Sequence, residues 1–315
     1  MPRSDERGIA LLLTLLVLTL LVALILEFDA EARREYRDAA SFRDNFKATV
    51  LARASVQAAR GTLQQDFLKD KQAGQFFDTT TDLWAMPITN YAIGDGLLTA
   101  QIEDEQGKLN LNDLVAGGDP IAKNEKVLRA KRLFELLQIN PDLVDAIVDW
   151  VDPDEKPEPA GAESLYYQTL RPPYRAANAP LQTFLELRLV KGMTPEILAK
   201  LSKLVTVFPQ GAPSKVNVNT ADPLVLQALD PGITQSMAAE IVLARPFKTI
   251  VELDRVSSFE DIGKKLRQQN LYDVKSDLFL ARMTIRVNEV IRNATVVLHR
   301  DPSNGTSTVK YYRVL

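Results

Sequence analysis

Between Ile9 and Leu26 the chain carries no charged side chain, and Thr14 and Thr19 are the only polar residues of that stretch. An uncharged run of about 18 residues is close to the shortest helix that can cross a bilayer. In lipid it must be helical, because a helix satisfies its own backbone hydrogen bonds without water. The flanks narrow its role. A cleaved secretory signal ends in small residues after the apolar stretch, whereas here Leu24, Ile25, Leu26, Glu27 and Phe28 follow. The small residue, Gly8, stands before the run instead. The leader MPRSDERG holds Arg3 and Arg7 beside Asp5 and Glu6, and the far side opens with Glu27, Asp29 and Glu31. Counting basic residues places the N-terminus in the cytoplasm and the bulk of the chain across the membrane. A plain membrane anchor fits these features too.

The helical pattern continues past the span. From Glu27 to about Lys69 there is no proline, and the one glycine is Gly61. Phe28, Ala32, Tyr36, Ala39, Phe42, Phe46, Val50, Ala54 and Ala58 recur at three or four residues, the period of one helix face. Joined to the span, this predicts a helix of about 60 residues and about 90 Å, with that stripe laid against a sheet. Beyond Gly74 the pattern turns to strands at Trp84 to Ala92 and Leu97 to Glu103, joined by a turn at Gly94, Asp95 and Gly96. Residues from about Ile121 to Leu204 read as helices broken by prolines, and a second helical pair spans about Asp222 to Lys265. Alternation returns from about Asp277, with a turn at Asn304-Gly305 and a last strand from Thr308 to Leu315. Strands, a helical block and strands again indicate one α+β domain with a helical insertion.

Composition removes several chemistries. The net charge of −3 argues against nucleic-acid backbone as the main partner. With no cysteine there is no disulfide, thiolate metal site or cysteine nucleophile. The single histidine, His299, lies in the β-rich tail, where it reads as a surface strand residue rather than a zinc ligand or triad member. There is no phosphate-binding glycine loop, HExxH or nucleophile elbow, so the chain is expected not to be an enzyme.

A polar leader ending in glycine, then a hydrophobic residue and a span, resembles the prepilin signal. That resemblance implies cleavage by a prepilin peptidase between Gly8 and Ile9, leaving a methylated Ile9 at the start of the mature chain. Pilins and pseudopilins nearly all carry glutamate as the fifth mature residue, and here that place is Leu13. A carboxylate in an apolar bundle is tolerated when it pairs with a neighbouring subunit's amine. A subunit with no neighbour above it can omit the charge, so Leu13 points to a tip position.

The head sharpens this. Asp104-Glu-Gln-Gly-Lys-Leu-Asn-Leu-Asn112, Asp149-Trp-Val-Asp-Pro-Asp154, Gly161-Ala-Glu163, Tyr166-Tyr167, Asn178-Ala-Pro180, Glu186-Leu187 and Val216-Asn-Val-Asn-Thr-Ala221 follow in that order. In this order, from the leader to about Phe247, the chain resembles the minor pseudopilin K family of type II secretion systems. The resemblance implies an α+β fold: a pilin-like long N-terminal helix packed on an antiparallel sheet, with a large all-helical insertion, SAM-like or helix-hairpin-helix-like. It divides the chain into a leader (1–8), a transmembrane and stem helix (9–70), a first part of the sheet (71–107), a helical insertion (108–213), a helix-hairpin-helix-like segment (214–270) and C-terminal strands (271–315). It implies a single-pass protein of the bacterial inner membrane with a periplasmic head. At the tip of the pseudopilus it would join the minor pseudopilins I, J and H, with exported substrates as further partners. A tip minor pilin of a type IV pilus shares the same leader and stem.

Asp149, Asp152, Asp154, Glu155, Glu158 and Glu163 crowd a proline-rich loop. Many oxygens on an irregular loop suit Ca²⁺, although the spacing is not an EF-hand. A solvated acidic loop is the other reading of the residues alone. Family resemblance favours calcium, with Asp149, Asp152, Asp154 and Glu163 as leading ligands. Leu226 to Ile241 resembles a helix-hairpin-helix, whose DNA-binding form would make a membrane-anchored DNA receptor. The turn has Thr234 where the DNA-binding form usually has a second glycine, and few basic residues surround it. No nucleic-acid partner is therefore expected.

Overall fold

The computed structural model describes residues 5–115, 120–211, 213–256 and 259–315. Residues 1–4 of the leader, Arg3 among them, lie outside the described residues. Helix α1 runs from Asp5 to Ala73 without a break. Its apolar portion is fully exposed, with a mean hydropathy of 3.2 over its best 18-residue window. A 3₁₀ turn, Leu83–Ala85, leads to strands β1 (Ile88–Ile93) and β2 (Gly96–Asp104). Strands β7 (Leu278–Val287), β8 (Val290–Arg300) and β9 (Ser307–Val314) complete a five-stranded sheet of order β1-β2-β7-β8-β9, and its register is antiparallel throughout.

Three expectations change here. The aromatic stripe of α1 is not the face that meets the sheet. Phe28, Tyr36, Phe42 and Phe46 are exposed, while Ala48, Ala52, Val56, Ala59, Leu63 and Phe67 on the opposite side are buried. Alanine lets the helix axis come close to the strands, so the interdigitated contact goes to the small residues. They pack on Phe279, Ala281, Met283 and Ile285 of β7 and on Ala294, Val296 and Leu298 of β8. Second, Trp84 is not in a strand. It sits in the 3₁₀ turn, 2% exposed, with its ring edge against Phe279 at 5.0 Å. Third, Asn304-Gly305 belongs to a longer loop between β8 and β9. Gly305 is needed there twice over: its φ is +76°, and a Cβ would lie 2.3 Å from Phe67 of the stem.

The insertion leaves and re-enters the sheet between β2 and β7, which pair directly, Asp104 opposite Phe279. Asp104 anchors it. This buried carboxylate accepts hydrogen bonds from Ser276 Oγ (2.6 Å), Thr220 Oγ1 (2.6 Å), Asn217 Nδ2 (3.0 Å) and the Gln106 amide (2.7 Å). The quoted motifs around Asp104 and Asn217 are thus the two sides of one joint.

Inside the insertion two units share one hydrophobic core. The first comprises β3 (Leu109–Asn110), α2 (Pro120–Leu136), α3 (Leu143–Val151), α4 (Ser164–Gln168), a 3₁₀ turn (Phe184–Leu189), α5 (Pro195–Leu201) and β4 (Val205–Thr206). The second comprises β5 (Val216–Asn217), α6 (Pro223–Leu229), α7 (Gln235–Leu243), a 3₁₀ turn (Ile250–Arg255), α8 (Glu260–Gln268) and β6 (Tyr272–Asp273). Each unit is closed by a short parallel ladder, β3 on β4 and β5 on β6, so the mainly helical insertion is not purely helical.

Their polar pins correspond atom for atom. Asn112 Oδ1 accepts the Leu181 amide, and its Nδ2 donates to the carbonyls of Leu181 and Val207. Asn219 Oδ1 accepts the Phe247 amide, and its Nδ2 donates to the carbonyls of Phe247 and Val274. Glu186 accepts the Gln182 amide as Glu252 accepts that of Lys248. Pro180-Leu-Gln-Thr-Phe-Leu-Glu-Leu187 and Pro246-Phe-Lys-Thr-Ile-Val-Glu-Leu253 occupy equivalent places. The insertion is an internal duplication.

Candidate functional site

The acidic loop grows out of the C-terminal end of α3, in the first unit. The apolar face of α3 is buried, which forces Asp149 and Asp152, at its last turn, under the loop that follows. Trp150 holds that turn in place. Its indole donates to Glu186 Oε1 at 3.1 Å and meets Tyr167 edge-on at 5.1 Å, and Tyr167 stacks on Tyr174 at 5.2 Å. Lys191 closes the frame, donating to the carbonyls of Ala160 and Gly161.

Within this frame Asp152, Asp154 and Glu163 bring carboxylate oxygens within 4.8 Å of one another. Asp152 and Glu163 are each 5% exposed. Asp152 Oδ1, both oxygens of Glu163 and Oδ1 of Asn178 are buried without a hydrogen-bond partner. Buried oxygens are normally paired, so four orphans in one loop system need an explanation. A cation supplies one, because hard carboxylate and amide oxygens are the donors that Ca²⁺ takes. Burial pushes the Glu163 carboxyl up to about 7, helped by Asp149 and Asp152 beside it. Burial raises Asp152 as well. The nearest countercharge is Lys123, 3.5 Å from Asp152 and 3.7 Å from Glu158.

Asp149 does not join this group. Its carboxylate accepts the Glu158 amide, and Gly161 packs so closely on it that a Cβ there would sit 1.9 Å from Oδ2. Burial pushes Asp149 up to about 6. It shapes the loop from inside and lies beside Glu163, whose carboxyl its charge helps to raise. Asn178 offers a further candidate oxygen that the sequence reading did not single out. Its Nδ2 donates to the Asp154 carbonyl (3.0 Å) and to Glu155 (3.1 Å), which leaves Oδ1 free beside the cluster. The visible signal was only that Asn178 opens one of the ordered motifs.

A second acidic group shows what neutralisation looks like. Asp66, Asp78 and Asp82 also converge, but Arg300 reaches into them, 3.1 Å from Asp66 and 2.6 Å from Asp78. Asp78 also accepts the Ser276 amide. This group is an internal ion network that ties the stem to the insertion.

The hairpin between α6 and α7 is built for packing. Thr234 caps α7, accepting the Met237 amide, and the Gly232 amide is taken by Asp230, which also pairs with Lys265. A carboxylate already occupies the place that a phosphate would need. Arg245, one of the few basic residues nearby, is committed to the Ala221 carbonyl. At the other end of the molecule, Gly8, Ile9 and Leu13 lie on the exposed face of α1's first turns.

Comparison with known proteins agrees with this geometry. Residues 107–210 and 216–275, which fall on the two units, each match a family model described as type II secretion system protein K. The chain is 33% identical over 250 residues to a type II secretion system protein K of Klebsiella pneumoniae, covering 76% of this chain and 75% of the relative. It is 27% identical over 311 residues to the protein K of Pectobacterium carotovorum, covering 94% and 93%. Its fold resembles a chain in the crystal structure of the GspK-GspI-GspJ complex of the enterotoxigenic Escherichia coli type 2 secretion system, with a TM-score of 0.74 and 21% identity, over 88% of this chain and 99% of that one.

Proposed function

The chain belongs to the type II secretion system protein K family, whose members are minor pseudopilins, and from that premise we propose that it forms the tip of the pseudopilus. The observation that carries this reading is the mounting of a bulky duplicated insertion on a stem-and-sheet body, between the paired strands β2 and β7 and anchored at Asp104. A head so enlarged leaves no room for a further subunit above it. Leu13, in place of a charge that would need a neighbour's amine, supports the same position. The span from Ile9 to Leu26 holds the chain in the inner membrane before assembly, with the head in the periplasm and Gly8–Ile9 offered to the prepilin peptidase. Afterwards the exposed stripe of Phe28, Tyr36, Phe42 and Phe46 continues the apolar surface into the stem bundle. The proposed partners are the minor pseudopilins I and J, with H below them, and the role is structural rather than catalytic.

Calcium in the acidic loop belongs to the same reading. Asp152, Asp154, Glu163 and Asn178 would hold it, and the ion would neutralise the crowded carboxylates and stiffen the loop. The test is to mix the head, residues 30–315, with the heads of the I and J pseudopilins of the same organism and read the mass by light scattering after size exclusion. The expected result is one heterotrimer that weakens in EDTA. Separate elution with and without calcium would overturn the tip assignment. A heterotrimer indifferent to EDTA would detach calcium from assembly.

A further inference from the structure

The acidic loop carries a cation of its own. Lys123 stands in the opening turn of α2 and reaches across to the loop, its ammonium 3.5 Å from Asp152 Oδ2 and 3.7 Å from Glu158 Oε1. The opening turn is the positive end of a helix dipole, so an ammonium there is unfavourable unless carboxylates offset it. Asp152 and Glu158, from a different part of the first unit, do so. Lys191, by contrast, donates to the carbonyls of Ala160 and Gly161.

Asp152 is where two demands meet. Its Oδ2 faces Lys123, whereas its Oδ1 is buried without a hydrogen-bond partner, and the residue joins Asp154 and Glu163 in the cluster. A positive charge on one oxygen of a carboxylate weakens its pull on a second cation and repels that cation directly. Lys123 is not locked in place. Its side chain is 34% exposed and lines an open cleft of about 290 Å³ with Lys131, Asp145, Glu158 and Pro159, so it has room to withdraw.

We propose that Lys123 sets the affinity of the acidic loop for calcium, neutralising Asp152 while no divalent ion is bound and opposing the ion when one arrives. The inference rests on the calcium reading of the loop and adds to it a residue outside the ligand set, on a different helix. Its consequence is a site tuned to high calcium concentrations, with a loop that stays tied to α2 when calcium is scarce.

The test is calorimetric titration of calcium into the full chain in detergent micelles, with thermal midpoints taken in EDTA and in saturating calcium. Lys123→Met should bind calcium about tenfold more tightly than the wild type, because affinity at oxygen sites follows their charge. In EDTA the same variant should melt below the wild type, and calcium should close or reverse that gap. Those two effects have opposite signs, which a general loss of packing does not produce. Lys123→Arg keeps the charge and should behave as the wild type. Lys264→Met removes an equal charge from an exposed pair in the second unit, and it should leave calcium affinity within about twofold, because distant exposed charges are screened. Wild-type binding with no tightening in Lys123→Met overturns this inference and leaves the calcium reading standing. Equal tightening in Lys264→Met overturns it too, since net charge then accounts for both. No heat and no change of midpoint at millimolar calcium, in wild type and variant alike, overturns the calcium reading and this inference with it.

Discussion

The two units of the insertion have the same frame and carry different cargo. In the second, α7 ends at Leu243 and the chain reaches its pinned residue, Phe247, almost at once. In the first, α3 ends at Val151, and the chain makes a long excursion through the acidic loop and the tyrosines before it reaches Leu181. All the buried carboxylate oxygens without a partner among the described residues lie in that excursion. The frame is common to both units, and the extra loop adds a cluster of buried carboxylates in one. The difference teaches that the same frame is built with the acidic loop in one unit and without it in the other.

The comparison can be broken at its pins. Asn112→Ala and Asn219→Ala each remove three hydrogen bonds to buried backbone groups, and each should cost about 3 kcal/mol in denaturant unfolding of the head. Costs equal to within about 1 kcal/mol would support equivalent frames, and calcium should change neither gap. A pin at one site worth far less than the other would end the analogy.

Next in size is Gly161→Ala, which drives a methyl group into Asp149 and should cost about 2 kcal/mol. It should also weaken calcium binding measured by calorimetry. In unit two a Cβ at Gly232 would lie 2.8 Å from Ile262 and 3.2 Å from Asp230, away from the acidic loop, so a loss of calcium binding from Gly232→Ala would contradict the assignment of the site to unit one.

Glu163→Gln should abolish the rise in thermal midpoint that calcium produces. In EDTA the same change should raise the midpoint slightly, because it removes a buried charge without a partner. A variant that loses stability in EDTA and keeps the calcium response would show that Glu163 is held by protein groups alone.

The smallest effect is in pH. Without calcium, Asp149 at about 6 and Glu163 at about 7 titrate above their ordinary values of 3.8 and 4.5. Raised carboxyl values favour the protonated fold, so stability is greatest below the ordinary values and falls as pH rises towards 7. Asp66, Asp70 and Asp78 are raised by burial too and add a slope of the same sign. Calcium should remove only the loop's share. Thermal midpoints at pH 5 and pH 8 should therefore differ more in EDTA than in calcium, and Glu163→Gln should shrink that difference.

Much of this was readable along the chain. The span, the leader glycine, the strand-helix-strand order and the acidic crowding are all local patterns, and local patterns survive in a linear string. The packed face of α1 was not readable, because two stripes share the helical period. The aromatic one looked stronger, yet the alanines of the other allow the close approach that a sheet demands. The duplication was hidden because its units agree mainly at Asn112 and Asn219, at Pro180 and Pro246, and at Glu186 and Glu252, with unequal loops between them. Asn178 was missed for the same reason: nothing local links it to Glu163, and only the path of the loop brings its amide beside Asp154.

By itself, then, the sequence determined where the chain sits, what order its elements come in, and which residue types crowd the loop, since these follow from period, polarity and the cost of burying charge. The tertiary structure alone decided which of two helix faces is buried and that Asp149 supports the loop from within. It also decided that four buried oxygens are left without partners. Those depend on distances between residues far apart in the chain, and such distances are set only when competing contacts are weighed against one another in a packed core.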